Sequence, residues 1–529
     1  MHPDIRSCRD WPVCRLHPLP YQSTPLACFA AIHDATGAIL LDSGRPQASR
    51  GRFDILSAWP LQSLEVAALN HAQEKVPVEK PSARPGQAFF SRLRKALSSL
   101  GPARLPEGSE LPFATGLLGY LSYDFGKTLE PAVVVEKSAV AKPAESYQNE
   151  NAHESVYGRT ASSGGTLPLA RFGLYDWALI TDHARCTSQL VFHPACPEKR
   201  QLDLIRRFEA VAVRDADYAG NTGNDGKAGK NSAMDAATDT INPSFTLTTP
   251  FSPVIRREDY QFAISQIQDY IRRGDCYQVN YTQPFRAYYE GDPWAAYGVL
   301  RTACATPYAG YINLGDDNAI LSLSPERFLR LSQRQIEARP IKGTRPRGAT
   351  ENEDQRLAKE LCNSEKDRAE NVMIVDLLRN DIGRTSRIGS VRVPELCSLE
   401  SYPNVHHLVS CVRAELAPGL DAFDLLAGSF PGGSITGAPK IRAMQIIGAL
   451  EPESRSIYCG SMLYIDVRGE MDSSITIRTL LAWDGELTCW GGGGIVMDSA
   501  WEAEYQESLD KVNVLMRALE ARRPANDGF

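Results

Sequence analysis

Long apolar runs are missing from this chain of 529 residues: none reaches the roughly 18 residues that a membrane helix needs, so no membrane association is expected. Excess positive charge is missing too. A net charge of -7 gives no support for a nucleic-acid or membrane-surface role, although a local basic cluster can still hold a small anion. The twelve cysteines include no Cys-x-x-Cys pair and no metal-ligand spacing, which excludes a disulfide framework and argues against zinc or iron–sulfur sites. Met1 to Pro20 lacks the continuous apolar core of a secretory signal, so the expected compartment is the cytoplasm. No Gly-x-x-x-x-Gly-Lys-Ser/Thr loop occurs, and no nucleotide is inferred.

What is present suffices for several domains or one large intertwined body. Two polar stretches, 136–166 and 214–242, have no apolar periodicity and read as insertions or linkers. The division that follows is an N-terminal region 10–213, a flexible linker 214–250 and a C-terminal domain 251–519. Short apolar segments near 27–32, 38–41 and 177–181 read as strands among glycine turns. Arg257 to Arg273 has helical spacing and stops at Gly274, and 328–332 with 335–340 reads as a strand pair. Segments 461–466, 473–481 and 486–490 read as three antiparallel strands. Hairpins with interspersed helices favour an α+β fold built on a large, mostly antiparallel sheet system.

Pro340-Ile341-Lys342-Gly343-Thr344 places a lysine in a glycine-hinged turn amid Arg339, Arg345 and Arg347. Cationic neighbours and partial desolvation both disfavour an ammonium, so a nucleophilic amine is plausible; a solvated basic turn is the alternative. Ser499-Ala500-Trp501-Glu502 reads as a capping box opening a last helix, whose stripe Trp501, Tyr505, Leu509, Val512, Met516 and Leu519 is core. Glu504, Glu507 and Lys511 share a second face, either a solvated one with an i,i+4 ion pair or, after the run Gly491 to Gly494, part of a site. Glu370 lies in a helix expected around 365–381, whose run Val372 to Leu378 leaves almost no polar face, and must find a cation such as Arg379, a hydrogen-bond network or a metal. Two carboxylates from separate helices suit Mg²⁺. The glycine-rich run Ser429 to Lys440 leads into a helix N-terminus and suits an anion. Strand alternation would put Ser474, Thr476 and Arg478 on one face, where Arg478 either grips a carboxylate or is merely solvated.

These segments resemble the chorismate-binding enzyme family, which includes anthranilate synthase large subunits and the isochorismate and salicylate synthases. The resemblance runs through most of 255–517 on Gly274 to Asn280, Ser324 to Phe328, Pro340 to Thr344, Ala369 to Asp381, Ser434 to Lys440 and Gly491 to Lys511. It implies an α+β fold like that of anthranilate synthase large subunits, a mostly antiparallel β-sheet sandwich with flanking helices. It also implies Glu370 and Glu507 as Mg²⁺ ligands and Glu326 as the general acid for the departing 4-hydroxyl. Arg478, Tyr458, Thr436 and backbone at Gly492 and Gly493 match groups that hold substrate carboxylates, while Thr344 and His407 lie near the ring. Glu504 and Lys511 support the site. Leu41-Asp42-Ser43, Gly51 to Ile55 and Gly119 to Asp124 extend the likeness upstream, and Ser43 and Arg52 resemble parts of a site where relatives bind tryptophan.

Two positions separate the branches of the family. Members that add water at C2 carry a lysine where this chain has Gln278, and anthranilate-forming members usually carry alanine where it has Lys342. The resemblance therefore implies amination of chorismate at C4 through covalent addition of Lys342 at C2, with anthranilate formation as the rival. No Gly-x-Cys-x-Gly glutaminase setting is found, so ammonia is expected from a separate glutamine amidotransferase subunit. No lyase segment follows Phe529, which places pyruvate elimination, by expectation, on another protein.

Overall fold

The computed structural model describes residues 10–48, 50–68, 84–133, 166–221, 244–402 and 405–523. Two antiparallel sheets, of thirteen and ten strands, dominate it. Side chains alternate across each strand, so a strand covered on both faces is apolar throughout. Ile39, Ile55, Ile180 and Val191 of the larger sheet enter a core shared with Leu117, Phe172 and Leu463 of the smaller one. Their neighbours Leu40, Leu56, Leu179 and Leu190 face the opposite way into a second core, beneath helices carrying Phe208, Tyr297 and Val512. That double coverage gives the sandwich with flanking helices that the resemblance implies.

Both sheets take strands from either side of 214–250. In the larger one, Ile39–Asp42 pairs with Tyr308–Gly315; in the smaller, Gly116–Leu121 pairs with Ser461–Asp466. The N-terminal region thus has no core of its own among the described residues. The stretch 214–250 is not linker throughout: the helix Glu198–Asn221 runs into it, and Phe245–Leu247 pairs with the strand Gln278–Gly291. The insertions lie almost wholly outside the described residues.

Three local readings need correction. Leu26–Ala30 is a helix rather than a strand, with Phe29 packed 4.9 Å from the ring of Trp294; a short run that is apolar on every side carries no period. Segment 473–481 is not one strand: Met471–Ser474 belongs to the smaller sheet and Thr479–Trp483 to the larger. The last helix, Trp501–Glu520, starts without a side-chain cap: Ala500 holds the cap position, and the Ser499 hydroxyl accepts from Val496 N–H at 3.1 Å and donates to the Glu504 carboxylate at 2.7 Å.

Candidate active site

The chain crosses between the sheets at two adjacent places, and each carries a polar side chain. Pro325 and Glu326 join Asn318–Ser324 of the larger sheet to Arg327–Ser332 of the smaller. Residues 475–478 make the return crossing alongside, tied to the first by Ile475 N–H donating to Glu326 O at 3.0 Å and Leu323 N–H donating to Arg478 O at 2.9 Å. Arg478 adopts a left-handed backbone with φ of 50°, a conformation that costs a non-glycine residue about 1–3 kcal/mol and tends to persist at functional sites. The crossing also separates it from Thr476, which is fully buried and donates its hydroxyl to Ile457 O, so the expected shared face does not exist.

Lys342 lies in the strand Ile341–Pro346, not in a free turn; Gly343, at φ of 78°, makes the bulge between its pairing with Leu408 and that of Thr344 with His407. The three arginines around it are not its electrostatic environment. Arg339 pairs with Glu395 and Glu400, Arg345 with Glu360 and Asp367, and Arg347 with Asp354. Burial is the main force that holds the amine below its ordinary range, opposed by the charges of Glu326 and Glu370 and helped by Lys511. Of the two expected causes, desolvation holds and the neighbouring arginines do not. Glu326, 7 % exposed, is the counterpart: burial pushes its carboxyl up to about 7 against the pull of Lys342, a Ser434 hydrogen bond and Lys511.

The carboxylates arrive on two helices. Glu365–Gly383, capped by the Ser364 hydroxyl accepting from Asp367 N–H, packs Ile374, Val375, Leu378 and Ile382 into the core and leaves Glu370 half-buried. Arg379 pairs with Asp376 rather than with Glu370, which has no hydrogen bond or ion pair among the described residues. Burial, together with the charges of Asp367 and Glu507, raises Glu370 above the usual carboxylate range, against Lys342 and Lys366. On the last helix Glu504 is buried and raised, whereas Glu507 is held down by Lys511, whose amine lies 2.7 Å away and also donates to Gly492 O at 2.8 Å. The helix sits this close because Gly491 has no side chain, where a Cβ would lie 2.0 Å from Ser508 O; at Gly493 a Cβ would lie 2.8 Å from Glu504 Oε2 and 3.4 Å from Glu507 Oε1. The glycines continue the strand Glu486–Ile495 beyond its expected end at residue 490.

Among the described residues no three acidic, histidine or cysteine side chains are grouped to hold a metal unaided. An unpartnered Glu370 within the field of Glu507 nevertheless fits an ion that takes few protein carboxylates and completes its shell with water and substrate oxygens. Residues expected to meet the substrate divide into two groups. Arg478 makes no ion pair among the described residues, and its charge, after burial, helps to hold His407 down to about 4 and so neutral. His407 meets the Thr344 hydroxyl at 2.9 Å, and Tyr458 stacks on Trp490. Thr436 does not reach out: it is fully buried and donates its hydroxyl to Gly432 O at 3.1 Å, shaping its own loop.

Ser43 and Arg52 lie in a separate cluster. Ser43 donates to Asp54 at 2.6 Å, and Arg52 is taken up by Asp182 and Glu110. Sequence reasoning gave no role to Ser434, although it lies in a quoted motif; its only signal was the glycine-rich setting.

A buried acid, a half-buried lysine and unpaired carboxylate and guanidinium groups around a sheet crossing suit an enzyme acting on a small polyanion. The match to known proteins gives the class: the chain belongs to the chorismate binding enzyme family, which it matches over residues 63–517. It is 42% identical over 494 residues to aminodeoxychorismate synthase component 1 of Klebsiella aerogenes, spanning 93% of this chain and 96% of that protein. Anthranilate synthase component 1 of Aquifex aeolicus is 46% identical over 264 residues, 50% of this chain and 53% of that one. The crystal structure of anthranilate synthase component I from Streptococcus pneumoniae superposes with a TM-score of 0.64 at 26% identity, covering 88% of this chain and 92% of that one.

Proposed function

We infer that this chain converts chorismate and ammonia to 4-amino-4-deoxychorismate, the precursor of 4-aminobenzoate in folate synthesis. The observation that carries this reading is Lys342, an amine kept reactive by burial and facing the field of a carboxyl poised near neutrality. It stands in a chain that aligns along nearly its whole length with an aminodeoxychorismate synthase component 1.

In the first step the Lys342 lone pair forms a bond to C2 of the ring. The two ring double bonds shift, the C4–O bond breaks, and Glu326 supplies the proton with which the hydroxyl departs as water. Ammonia then bonds to C4, the double bonds return, and Lys342 leaves. A carboxyl near 7 is suited to the task because it is protonated before the step and can be reprotonated after it. Arg478 offers an unpaired guanidinium to a substrate carboxylate, and neutral His407 borders the ring without adding charge. Glu370 and Glu507 would hold Mg²⁺, with the ring carboxylate of chorismate in its shell; when bound, the ion neutralises substrate charge.

Ammonia would come from glutamine on a separate amidotransferase subunit. Cys459, the cysteine nearest to a glutaminase pattern, is buried, and burial pushes its thiol up to about 12, which disqualifies it as a nucleophile. In the described residues no helix is long and apolar enough to cross a membrane.

The test is incubation of the purified chain with chorismate, Mg²⁺ and ammonium, with products identified by mass spectrometry and pyruvate assayed. Aminodeoxychorismate without pyruvate is expected. Anthranilate with pyruvate would assign the chain to the rival reaction, and unchanged chorismate would reject both.

A further inference from the structure

We propose that Ser434 is the positioning residue that joins the two halves of the first step, its hydroxyl holding the acid Glu326 and its backbone carbonyl holding the amine of Lys342. The inference rests on the amination chemistry above and assigns a task to a residue that the chemistry alone does not require. The Ser434 hydroxyl donates to Glu326 Oε1 at 3.0 Å, and Lys342 Nζ donates to Ser434 O at 3.3 Å. The acid comes from the crossing between two strands and the nucleophile from the strand Ile341–Pro346, and this is the residue that both touch.

The loop that carries Ser434 is clamped from behind. Asn280 Nδ2 donates to the same carbonyl at 3.0 Å. Arg455, 2 % exposed, donates to Ile435 O at 2.9 Å and Asn280 O at 2.7 Å while pairing with buried Glu451. Thr436 ties the far side to Gly432. A buried and fully bonded charge pair of this kind is costly to disturb, so the serine is presented in one geometry.

Two chemical consequences follow. With a donor on Oε1, the carboxyl proton of Glu326 must ride on Oε2, the oxygen free to face a leaving group. When that proton moves to the departing hydroxyl, the carboxylate left behind keeps the Ser434 hydrogen bond, now to a charged acceptor and therefore stronger. No proton leaves the serine. On the other side, a neutral lysine amine has N–H donors and a single lone pair; committing a donor to the carbonyl restricts its rotation and leaves the pair for C2. The charges acting on Glu326 are Lys342, from its strand, and Lys511, from the last helix, and both favour the ionised form along with the serine.

Ser434→Ala removes the hydroxyl and keeps the carbonyl. In the ammonium-dependent assay we expect kcat to fall about 10- to 100-fold, with KM for chorismate changed less than about two-fold. Losing a donor to the carboxylate should also move the alkaline limb of the pH–rate profile upward by about half a unit to one unit. Ser434→Thr, which restores a hydroxyl, should recover most of the rate and return the limb. A kcat within about two-fold of wild type, or a loss with an unmoved limb that threonine does not rescue, would overturn the proposal. Infrared titration of the Glu326 carboxyl, taken as the difference from Glu326→Gln, reads the same shift without turnover. An unchanged midpoint in Ser434→Ala rejects the serine's role even if the wild type makes a different product, whereas a wild type that makes no aminodeoxychorismate rejects the function alone.

Discussion

Two polar clusters in this molecule are built from the same residue types and finished differently. In the N-terminal cluster every charge is met: Asp42 by Arg301 and Tyr297, Asp54 by Ser43 and His183, and Asp182 by Arg52. Around the sheet crossing, Glu370 and Arg478 stand without such partners among the described residues, and Glu326 and Lys342 are displaced from their ordinary ionisation mainly by burial. A protein tolerates uncompensated polar groups at a cost in stability, and it keeps them where a ligand completes the set. The first cluster is therefore closed structure and the second an open half of a bonding scheme.

The largest effect should come from the acid. Glu326→Gln keeps an acceptor for Ser434 but has no acidic proton, so kcat should fall about 10²- to 10⁴-fold. The same change should stabilise the fold. A carboxyl raised from 4.5 to about 7 costs nothing below the lower value; the penalty builds as pH rises from the lower value to the upper one and is constant above it, at about 3 kcal/mol. Melting at pH 4 and pH 8 checks this: a gain for the glutamine variant is expected at pH 8 alone.

Gly493→Ala would press a Cβ against Glu504 and Glu507 and shift both carboxylates. About 100-fold loss of activity is expected, with more Mg²⁺ needed for half-maximal rate, since a displacement near 1 Å costs that much. Arg478→Ala should lower kcat/KM roughly 10- to 100-fold, mostly through KM, as a charge-assisted carboxylate contact is worth about 1.5–3 kcal/mol. Arg52→Ala sharpens the contrast from the other side. It should cost about 1 kcal/mol of stability, because the guanidinium is partly exposed, and leave kcat and KM for chorismate unchanged.

The open cluster was the more legible of the two in the sequence, for physical reasons. Glu370 announced itself because it stands just ahead of the mostly apolar run Val372 to Leu378, where a carboxylate needs a partner, and Glu507 and Lys511 because helical spacing fixes their contact. What stayed hidden depends on long-range placement. Whether Ser473 to Leu481 continues as a strand or crosses between sheets is decided by partners 150 residues away, as in the pairing of Ser322 with Thr479. The arginines flanking Lys342 looked like its environment in sequence and proved to be paired elsewhere, so burial, helped by Lys511 from the last helix, holds the amine down, and no local pattern reports either. Ser434 was visible as part of a glycine-rich run, but its two contacts, with Glu326 and Lys342, lie 108 and 92 residues away.

The most direct test is the reaction of Lys342→Ala with chorismate, Mg²⁺ and ammonium, followed by mass spectrometry alongside wild type. The account predicts aminodeoxychorismate formation reduced at least about 100-fold, with any residual chemistry shifted toward C2, because the nucleophile that opens the ring is gone. Aminodeoxychorismate formed at the wild-type rate would remove Lys342 from the mechanism and contradict the account.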